Sequence, residues 1–484
     1  MLVGLYTVRM VLSILGTEDY GIYNVVAGMV VFFTFLNGAM TSSIQRFLNF
    51  ALGQKDTEHA RNVYSVSFTI YVLIAILIVV LSQTVGLWFF HTQLNIPAER
   101  QQAAFAVYQF SVVALIIGIL QIPYRATIVA YEKMSFFAML SIVEALFKLA
   151  NVVILKFTTF DKLMVYAFFI CIAETVIFFI YKLYCNRAFV IARFRYCKDR
   201  ELFRQLLAFS GWSFFGSLAS LGRDQGAHIL VNIYFGVGIN AAMGIASQVG
   251  AGVYSCLINF LSASDPQIIK SYSVKDYEYF MQLIFWITRL SFCLLLLFVL
   301  PLLINLEFVL KIWLNNVPEY TAAFTRLILL SSLISAIAGP LSTSIRATGD
   351  IKRYQLILSC FVLACLPLSL IFLWMGFGPL WIIVINTGLD ALSVLWFIFF
   401  LRGRINLHVV TFFCKVIVPM FIIAGISTVI TIFLGSFFVG WGRLIATSII
   451  STINITCLMY VIGLNKQETV LVKNWIKCRV ARNR

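Results

Sequence analysis

Long runs of apolar residues recur along almost the whole chain, and short segments between them contain most of the charged residues. A helix needs about 20 apolar residues to cross a hydrocarbon layer roughly 30 Å thick. On that criterion the pattern predicts fourteen membrane-spanning helices. Their approximate limits are 1–16, 22–45, 63–90, 103–124, 134–155, 163–185, 207–235, 240–264, 280–305, 322–345, 354–377, 379–401, 413–435 and 441–463.

The composition agrees with this pattern and narrows the class of protein. Of the 484 residues, 61% are hydrophobic and 12% are charged. Soluble domains contain about 25% charged residues, so a soluble enzyme is excluded, as is a disordered chain. The first span is short and no basic segment precedes it, from which we expect the natural chain to begin upstream of Met1. The sequence predicts an all-α polytopic membrane protein.

The basic residues test this arrangement independently of hydropathy. If the segment after the second span is cytoplasmic, the inside segments hold 26 Lys and Arg and the outside loops hold 6. Cytoplasmic loops of membrane proteins are enriched in Lys and Arg, so this asymmetry sets the orientation and places the C-terminus in the cytoplasm. The formal net charge of +16 is therefore a matter of topology, and it gives no reason to expect a nucleic-acid partner.

No metal or cofactor chemistry is indicated. The ten cysteines form no CxxC pair, and the four histidines are too scattered for a ligand cluster. No nucleophile and base stand together on a sizeable outside loop, which argues against an enzyme.

The two halves of the chain resemble each other at an offset of about 220 positions. Residues 55–58 (KDTE) correspond to 275–278 (KDYE), and 125–127 (RAT) correspond to 346–348 (RAT). This offset covers six helices, an even number, so both halves have the same orientation, as in many transporters. We therefore predict two pseudo-symmetric six-helix lobes followed by two further helices. The predicted divisions are 1–185, a basic linker at 186–206, 207–401, 402–463 and a basic cytoplasmic tail at 464–484.

Several segments resemble bacterial polysaccharide flippases of the multidrug/oligosaccharidyl-lipid/polysaccharide exporter superfamily. They are residues 15–26 (LGTEDYGIYNVV), 35–40 (FLNGAM), 45–48 (QRFL) and 265–272 (DPQIIKSY). The resemblance implies a MATE-like fold with two lobes around a central cavity, and alternating access. It also implies transfer of an undecaprenyl-diphosphate-linked oligosaccharide to the periplasmic leaflet of the inner membrane. Asp265 stands where the family commonly has asparagine.

Nine charged residues lie within predicted spans, where a charge costs about 2.5–3.5 kcal/mol and usually faces protein or a wet cavity. Arginine binds phosphate oxygens in a bidentate manner, so the cations are candidates for binding the diphosphate and sugar. The candidate substrate-binding residues are Arg9, Arg223, Arg289 and Lys148. The alternative for Arg9 and Arg223 is an ion pair between helices, with Asp224 or Glu174 as partners. The alternative for Lys148 is an intrahelical pair with Glu144, four residues earlier.

The carboxylates within the spans are candidates for coupling transport to H⁺ or Na⁺, because a carboxylate in an apolar cavity can take up either cation. These candidates are Asp224, Asp265, Glu174 and Asp390. Each is alternatively a partner for an arginine, and Asp265 is alternatively interfacial.

Other basic residues lie at the membrane surface. Arg46, Arg125 and Arg346 end spans on the cytoplasmic side, where they either attract the diphosphate or serve as ordinary positive-inside anchors. The tail from Lys466 to Arg484 alternates basic and apolar residues and predicts binding to anionic lipids.

The sequence thus favours a flippase for lipid-linked oligosaccharide in O-antigen, lipopolysaccharide, capsule or exopolysaccharide assembly. The polysaccharide polymerase machinery is a further candidate partner. Two alternatives remain: a multidrug/cation antiporter of the same superfamily, and a membrane polysaccharide polymerase or glycosyltransferase. The spans contain four basic and five acidic residues, a mixture that only mildly favours an anionic substrate.

Overall fold

A computed structural model shows a chain that is helical throughout, with no strand among the residues it describes. The described residues are 35–463, apart from 94–96, 196, 198, 315–316 and 406, together with 10–11, 14–16, 19, 22–23 and 26. Outside them lie most of the predicted span 1–16, residues 24–25 and 27–34 of the predicted span 22–45, the predicted tail 464–484 and the candidate Arg9. Within the described part the all-α prediction is confirmed.

The chain forms two compact units, Met1–Ser217 and Leu218–Arg484. The division lies inside a long helical segment, whereas the sequence predicted it in the basic segment 186–206. The whole basic segment 186–206 belongs to unit 1. Its residues Ile191 and Ala192 are buried, and the Phe194 ring lies 5.6 Å from the Phe68 ring.

Unit 1 consists of helices joined by short connections, and polar side chains set the ends of several of them. The carboxylates of Asp56 and Asp161 accept hydrogen bonds from backbone N–H groups in the first turns of the helices they precede. A π turn at Ser82–Gly86 interrupts the second helix, and the Tyr108 hydroxyl donates a 2.7 Å hydrogen bond to the Ser82 carbonyl there. The helices are α1 (Phe35–Gly53), α2 (Thr57–Leu81, continued by Leu87–Gln93), α3 (Gln101–Ala130), α4 (Met134–Phe157) and α5 (Lys162–Ala188).

The long segment α6 (Arg200–Ser273) joins the two units and is broken at Gly236, where φ is 81° and ψ is 179°. Only glycine adopts this conformation without strain. The other helices of unit 2 are α7 (Tyr277–Ile304), α8 (Leu306–Trp313), α9 (Thr321–Thr348), α10 (Ile351–Trp374), α11 (Leu380–Ile405), α12 (Val418–Gly435, preceded by Val409–Phe412) and α13 (Gly440–Leu458).

Eleven helices of the described part are long and apolar enough to cross a membrane, and the protein is a multi-pass membrane protein. The sequence predicted fourteen spans. Two of the remaining three are 1–16, most of which lies outside the described residues, and 22–45, which is interrupted by the undescribed residues 24–25 and 27–34. The third, 207–235, is helical within α6, but it is not among the eleven because Arg223, Asp224 and several glycines and serines lower its mean hydropathy.

The predicted repeat is visible in the backbone of both units. Lys55 and Lys275, 220 positions apart, have positive φ angles of 59° and 60°. The residue after each is an aspartate that caps the next helix, through Asp56 to His59 N in unit 1 and through Asp276 to Tyr279 N in unit 2.

The break in α6 at Gly236 has a counterpart at the same offset of 220 positions. Gly16 has φ of 80° and Gly236 has φ of 81°, and these glycines are also 220 positions apart. Two kinds of special backbone position therefore recur at one offset, which supports a duplicated architecture.

Ion pairs connect loops that the sequence analysis assigned to the same side of the membrane. In unit 1, Arg100 contacts Asp19 at 2.8 Å and Asp161 at 2.5 Å, and all three belong to predicted outside loops. In unit 2, Asp350 pairs with Arg404 across two predicted inside loops. The alternation of sides predicted from hydropathy agrees with these contacts.

Helices in unit 2 approach closely at small residues. Gly226 faces the Leu366 side chain, and Gly339 faces Leu261, so that a Cβ at either glycine would lie within 3.0 Å of a leucine methyl group. Small residues permit such contacts between membrane helices, where van der Waals packing drives association.

Candidate functional site

A charged group centred on Arg223 lies inside unit 2, midway along a predicted span. Arg223 belongs to the part of α6 that precedes Gly236, and it faces α11. Its Nη1 donates to Asn386 Oδ1 at 2.9 Å and to Asp390 Oδ1 at 3.1 Å. Its Nε donates to Asp224 Oδ1 at 3.0 Å. We call Arg223, Asp224, Asn386 and Asp390 the Arg223 group.

Helix periodicity explains why α11 supplies two partners. Asn386 and Asp390 are separated by four residues, so they lie on one face of the helix, one turn apart. One arginine side chain can therefore reach both the amide and the carboxylate. The guanidinium Nη2 has no protein acceptor among the described residues.

Burial differs across the group. The side chain of Arg223 is 18% exposed, that of Asp390 is 28% exposed and that of Asp224 is 59% exposed. The Arg223–Asp390 pair is thus mostly buried, whereas the Asp224 side chain is mostly exposed. With two carboxylates ionised and one guanidinium, the group has a formal charge of −1. Tyr254 and Cys365 lie within electrostatic range of it from α6 and α10.

A second polar group lies within unit 1. Gln121 of α3 donates from Nε2 to both the backbone carbonyl of Glu174, at 3.0 Å, and its carboxylate, at 3.1 Å. Glu144, Lys148 and Arg125 are within electrostatic range of that carboxylate.

The intrahelical pair predicted between Glu144 and Lys148 is wrong, since these described residues do not approach within the 4.0 Å of an ion pair. Lys148 is exposed on α4, and both side chains face a group that also includes Glu174 of α5.

Asp265 is paired with Arg346. The sequence indicated separate roles for these residues, with Asp265 as a candidate for ion coupling and Arg346 as a basic residue at the cytoplasmic end of a span. Thr343 Oγ1 donates to Asp265 Oδ1 at 2.8 Å, and Arg346 Nη2 lies 3.6 Å from Asp265 Oδ2. Arg346 Nη2 also donates to Thr343 Oγ1 at 2.8 Å. The Asp265 side chain is 18% exposed, so it is largely buried within unit 2.

The remaining basic candidates pack against aromatic rings or inside the unit. The Arg46 guanidinium lies over the Phe47 ring at 4.6 Å, and Arg125 lies over the Phe137 ring at 5.6 Å. Arg289 is 3% exposed within α7, which leaves it no open face for a bulky substrate. These residues do not belong to the Arg223 group.

Sequence reasoning named Arg223, Asp224 and Asp390 but missed three uncharged partners: Asn386, Gln121 and Thr343. A signal was present for Asn386, because an amide four residues before an intramembrane carboxylate shares its helix face. No signal in the sequence pairs Gln121 with Glu174, which lies 53 positions away.

Solved structures define the fold. A protein described as MATE in complex with MaL6 has a TM-score of 0.70 and 12% sequence identity, and the match covers 84% of this chain and 94% of that chain. An outward-facing multidrug resistance MATE family transporter of the MOP superfamily has a TM-score of 0.67 and 13% identity, over 83% and 95%. A MOP superfamily transporter from Pyrococcus furiosus, described with a binding pocket of reverse polarity, has a TM-score of 0.68 and 13% sequence identity. The match covers 84% of this chain and 94% of that chain.

These similarities define a polytopic helical membrane protein with the MATE fold. No curated protein matches the sequence. The profile of the family described as "Polysaccharide biosynthesis protein" matches residues 1–274, more than half of the chain. The protein belongs to this polysaccharide biosynthesis family.

Proposed function

We propose that the protein transfers an oligosaccharide linked to undecaprenyl diphosphate from the cytoplasmic to the periplasmic leaflet of a bacterial inner membrane by alternating access. Membership of the polysaccharide biosynthesis family and a fold shared with membrane transporters support this proposal. The observation that carries it is Arg223, a guanidinium held within a membrane-spanning helix with Nη2 facing no protein acceptor among the described residues.

The chemistry of Arg223 suits a diphosphate. Two N–H groups of Nη2 can donate to phosphate oxygens while Nε remains on Asp224. Arginine stays charged at every physiological pH, so the cation persists in an apolar layer where a lysine would lose its proton more readily.

Asp390 offers a means of coupling transport to a cation, for which we propose H⁺. A proton on Asp390 removes one of the two negative charges facing Arg223 and releases an Nη1 donor for the substrate. Protonation thereby changes the formal charge of the Arg223 group from −1 to zero, which favours an anionic ligand. The same two carboxylates and the Asn386 oxygen suit Na⁺ as the alternative coupling ion.

We also propose the orientation that the basic residues predict, with the C-terminus in the cytoplasm. The ion pairs at Arg100 and Asp350 each join loops assigned to one side, which supports the alternation of sides. The excess of Lys and Arg in the predicted inside segments supports the orientation itself. Reporter fusions after residue 463 test this orientation directly.

One observation favours a second function, export of cationic drugs. The Arg223 group has more carboxylates than cations, and one structural neighbour is described as a multidrug resistance transporter. A net negative site attracts cations, so this alternative is tested beside the first.

The test uses a strain from which the gene is deleted, in which we expect surface polysaccharide to be displayed only when the gene is restored. We expect lipid-linked oligosaccharide to accumulate on the inner leaflet of the deletion strain. Arg223→Ala should fail to restore display at a normal membrane level of the protein. Arg404→Ala, which removes an arginine paired outside the spans, is the matched control and should restore it.

Normal display with Arg223→Ala would contradict the role of this residue. Unchanged display in the deletion strain, together with increased accumulation of a cationic dye such as ethidium, would favour the drug exporter instead.

A further inference from the structure

An apolar groove with a basic rim lies on unit 1, outside the Arg223 group. It encloses about 450 Å³ between α4 and α5, at the ends that the sequence places on the cytoplasmic side. Almost all of its surface is apolar, and the Phe136 and Tyr184 rings stack at its wall with centroids 3.6 Å apart. Its lining residues are Phe136, Ile180, Leu183, Tyr184, Arg187 and Ala188.

The segment after α5 continues this surface. We call residues 189–195 the strap. Its Phe189 ring stacks on Tyr131 at 4.3 Å, and this partial burial raises the pKa of the Tyr131 phenol above its ordinary value. The Arg195 backbone N–H donates to Ser65 Oγ at 3.3 Å, which ties the strap to α2. The strap is therefore a built part of unit 1.

The strap presents apolar and basic side chains together. Val190 is 71% exposed and Phe194 is 52% exposed, although both are apolar. Four exposed basic residues lie in the strap or just before it: Lys182, Arg187, Arg193 and Arg195. None of these four is within 4.0 Å of a carboxylate among the described residues.

We propose that this groove and strap bind one anionic diacyl phospholipid of the surrounding bilayer. The groove takes an acyl chain, since its walls are aliphatic and aromatic and Leu183 beside it is 57% exposed. The lipid phosphate lies at the rim, where Arg187 donates to it and Arg193 and Arg195 add positive charge. Exposed basic residues without acidic partners complement an anionic headgroup, and the flanking apolar side chains lie in the interface.

The alternative occupant of comparable chemistry is the polyprenyl diphosphate substrate itself. The groove favours a phospholipid because its volume of about 450 Å³ suits a single acyl chain, and because Ile142, Leu146 and Phe179 on the same two helices are also exposed. These residues face the membrane hydrocarbon in a polytopic protein.

Native mass spectrometry of the full chain in detergent tests the proposal. Phosphatidylglycerol and phosphatidylcholine with identical acyl chains are added in equal amounts, and the lipids retained by the protein are counted. We expect one phosphatidylglycerol to be retained in preference to phosphatidylcholine. Each basic residue near an anionic surface contributes roughly a fivefold change in affinity, so Arg187→Gln/Arg193→Gln/Arg195→Gln should lower the preference at least tenfold.

The matched control removes three exposed lysines away from the groove: Lys156 and Lys162 at the opposite ends of α4 and α5, and Lys311 in α8 of unit 2. Lys156→Gln/Lys162→Gln/Lys311→Gln loses the same charge and should keep the preference. Ala188→Phe, which fills the groove and leaves every charge in place, should lower lipid retention. Thermal unfolding of each variant confirms that it is folded before its lipids are counted.

Three results would overturn the proposal. One is equal retention of the two phospholipids by the unaltered protein. Another is an equal loss of phosphatidylglycerol in the arginine variant and the lysine control. The third is displacement of the bound phosphatidylglycerol by an equimolar amount of undecaprenyl diphosphate, which would make the groove a substrate site.

Discussion

Arg223 and Asp390 form a 3.1 Å ion pair between α6 and α11, although 167 positions separate them along the chain. Both side chains are largely withdrawn from solvent, so each limits the cost of placing the other in an apolar layer. The functional proposal requires this pair to open when substrate binds. Its strength is therefore a measurable quantity.

A double-mutant cycle on this pair should show strong coupling. Asp390→Leu leaves Arg223 with Asp224 as its one carboxylate partner, and Arg223→Met leaves two carboxylates without their cation. The combined variant should be more stable than the sum of the two single effects predicts, by about 1–3 kcal/mol. Thermal unfolding in detergent measures all four proteins, and strictly additive effects would contradict the coupling.

Asn386 should contribute to transport without contributing charge. Asn386→Ala removes one 2.9 Å acceptor from Arg223, worth about 1.5–3 kcal/mol for a bond to a charged group. We expect a loss of about tenfold to 150-fold in a flipping assay with lipid-linked oligosaccharide. Thr387→Ala is the control, because the Thr387 hydroxyl bonds to Ile383 O of its own helix. Equal losses in the two variants would argue for a general defect of α11.

Gly236 should be intolerant of any side chain for a backbone reason. A Cβ there meets nothing within 4 Å, so the cost of Gly236→Ala comes from its φ of 81° and should be about 1–3 kcal/mol. Gly238 also has open space around it and has no positive φ. Gly238→Ala should therefore leave stability unchanged or slightly raise it. The two melting temperatures decide the point, and equal values would remove the backbone argument.

Arg100 should matter more for stability than Arg326, although both form ion pairs in predicted outside loops. Arg100 joins two carboxylates from different loops, and the Asp19 side chain is 10% exposed. Arg326 pairs with Glu307, and both side chains are about half exposed or more. We expect Arg100→Gln to lower stability by about 1–3 kcal/mol and Arg326→Gln by less than about 1 kcal/mol. Thermal unfolding at low and high salt measures both, and a larger loss for Arg326→Gln would contradict this ranking.

The helical spans and their alternation could be predicted from the sequence, because hydropathy reflects the thickness of the bilayer and the basic loops reflect its two sides. The bilayer imposes one length and one sidedness on each span, and both are visible locally. The segment 207–235 shows the limit, since the polar residues that form the site also reduce the hydropathy by which a span is detected.

The site was predictable only in part, because its contacts join distant positions. Arg223 and Asp224 are neighbours in sequence, and their pairing was foreseen as an alternative. The partners on α11 depend on how helices rotate about their axes, which no local pattern specifies. Glu144 and Lys148 failed for the same reason, because groups on α3 and α5 compete with the intrahelical pair.

The distance along the chain from a positive-φ glycine to the next positive-φ lysine is the same in both units. Lys55 follows Gly16 by 39 positions, and Lys275 follows Gly236 by 39 positions. Adding a single residue to a helix rotates everything beyond it by about 100° and shifts it by 1.5 Å. Further along, the positive-φ turns at Glu132 and Gly349 are 217 positions apart, so the exact offset of 220 is not kept there. The two copies therefore agree in length from the glycine to the lysine and differ by the next positive-φ turn.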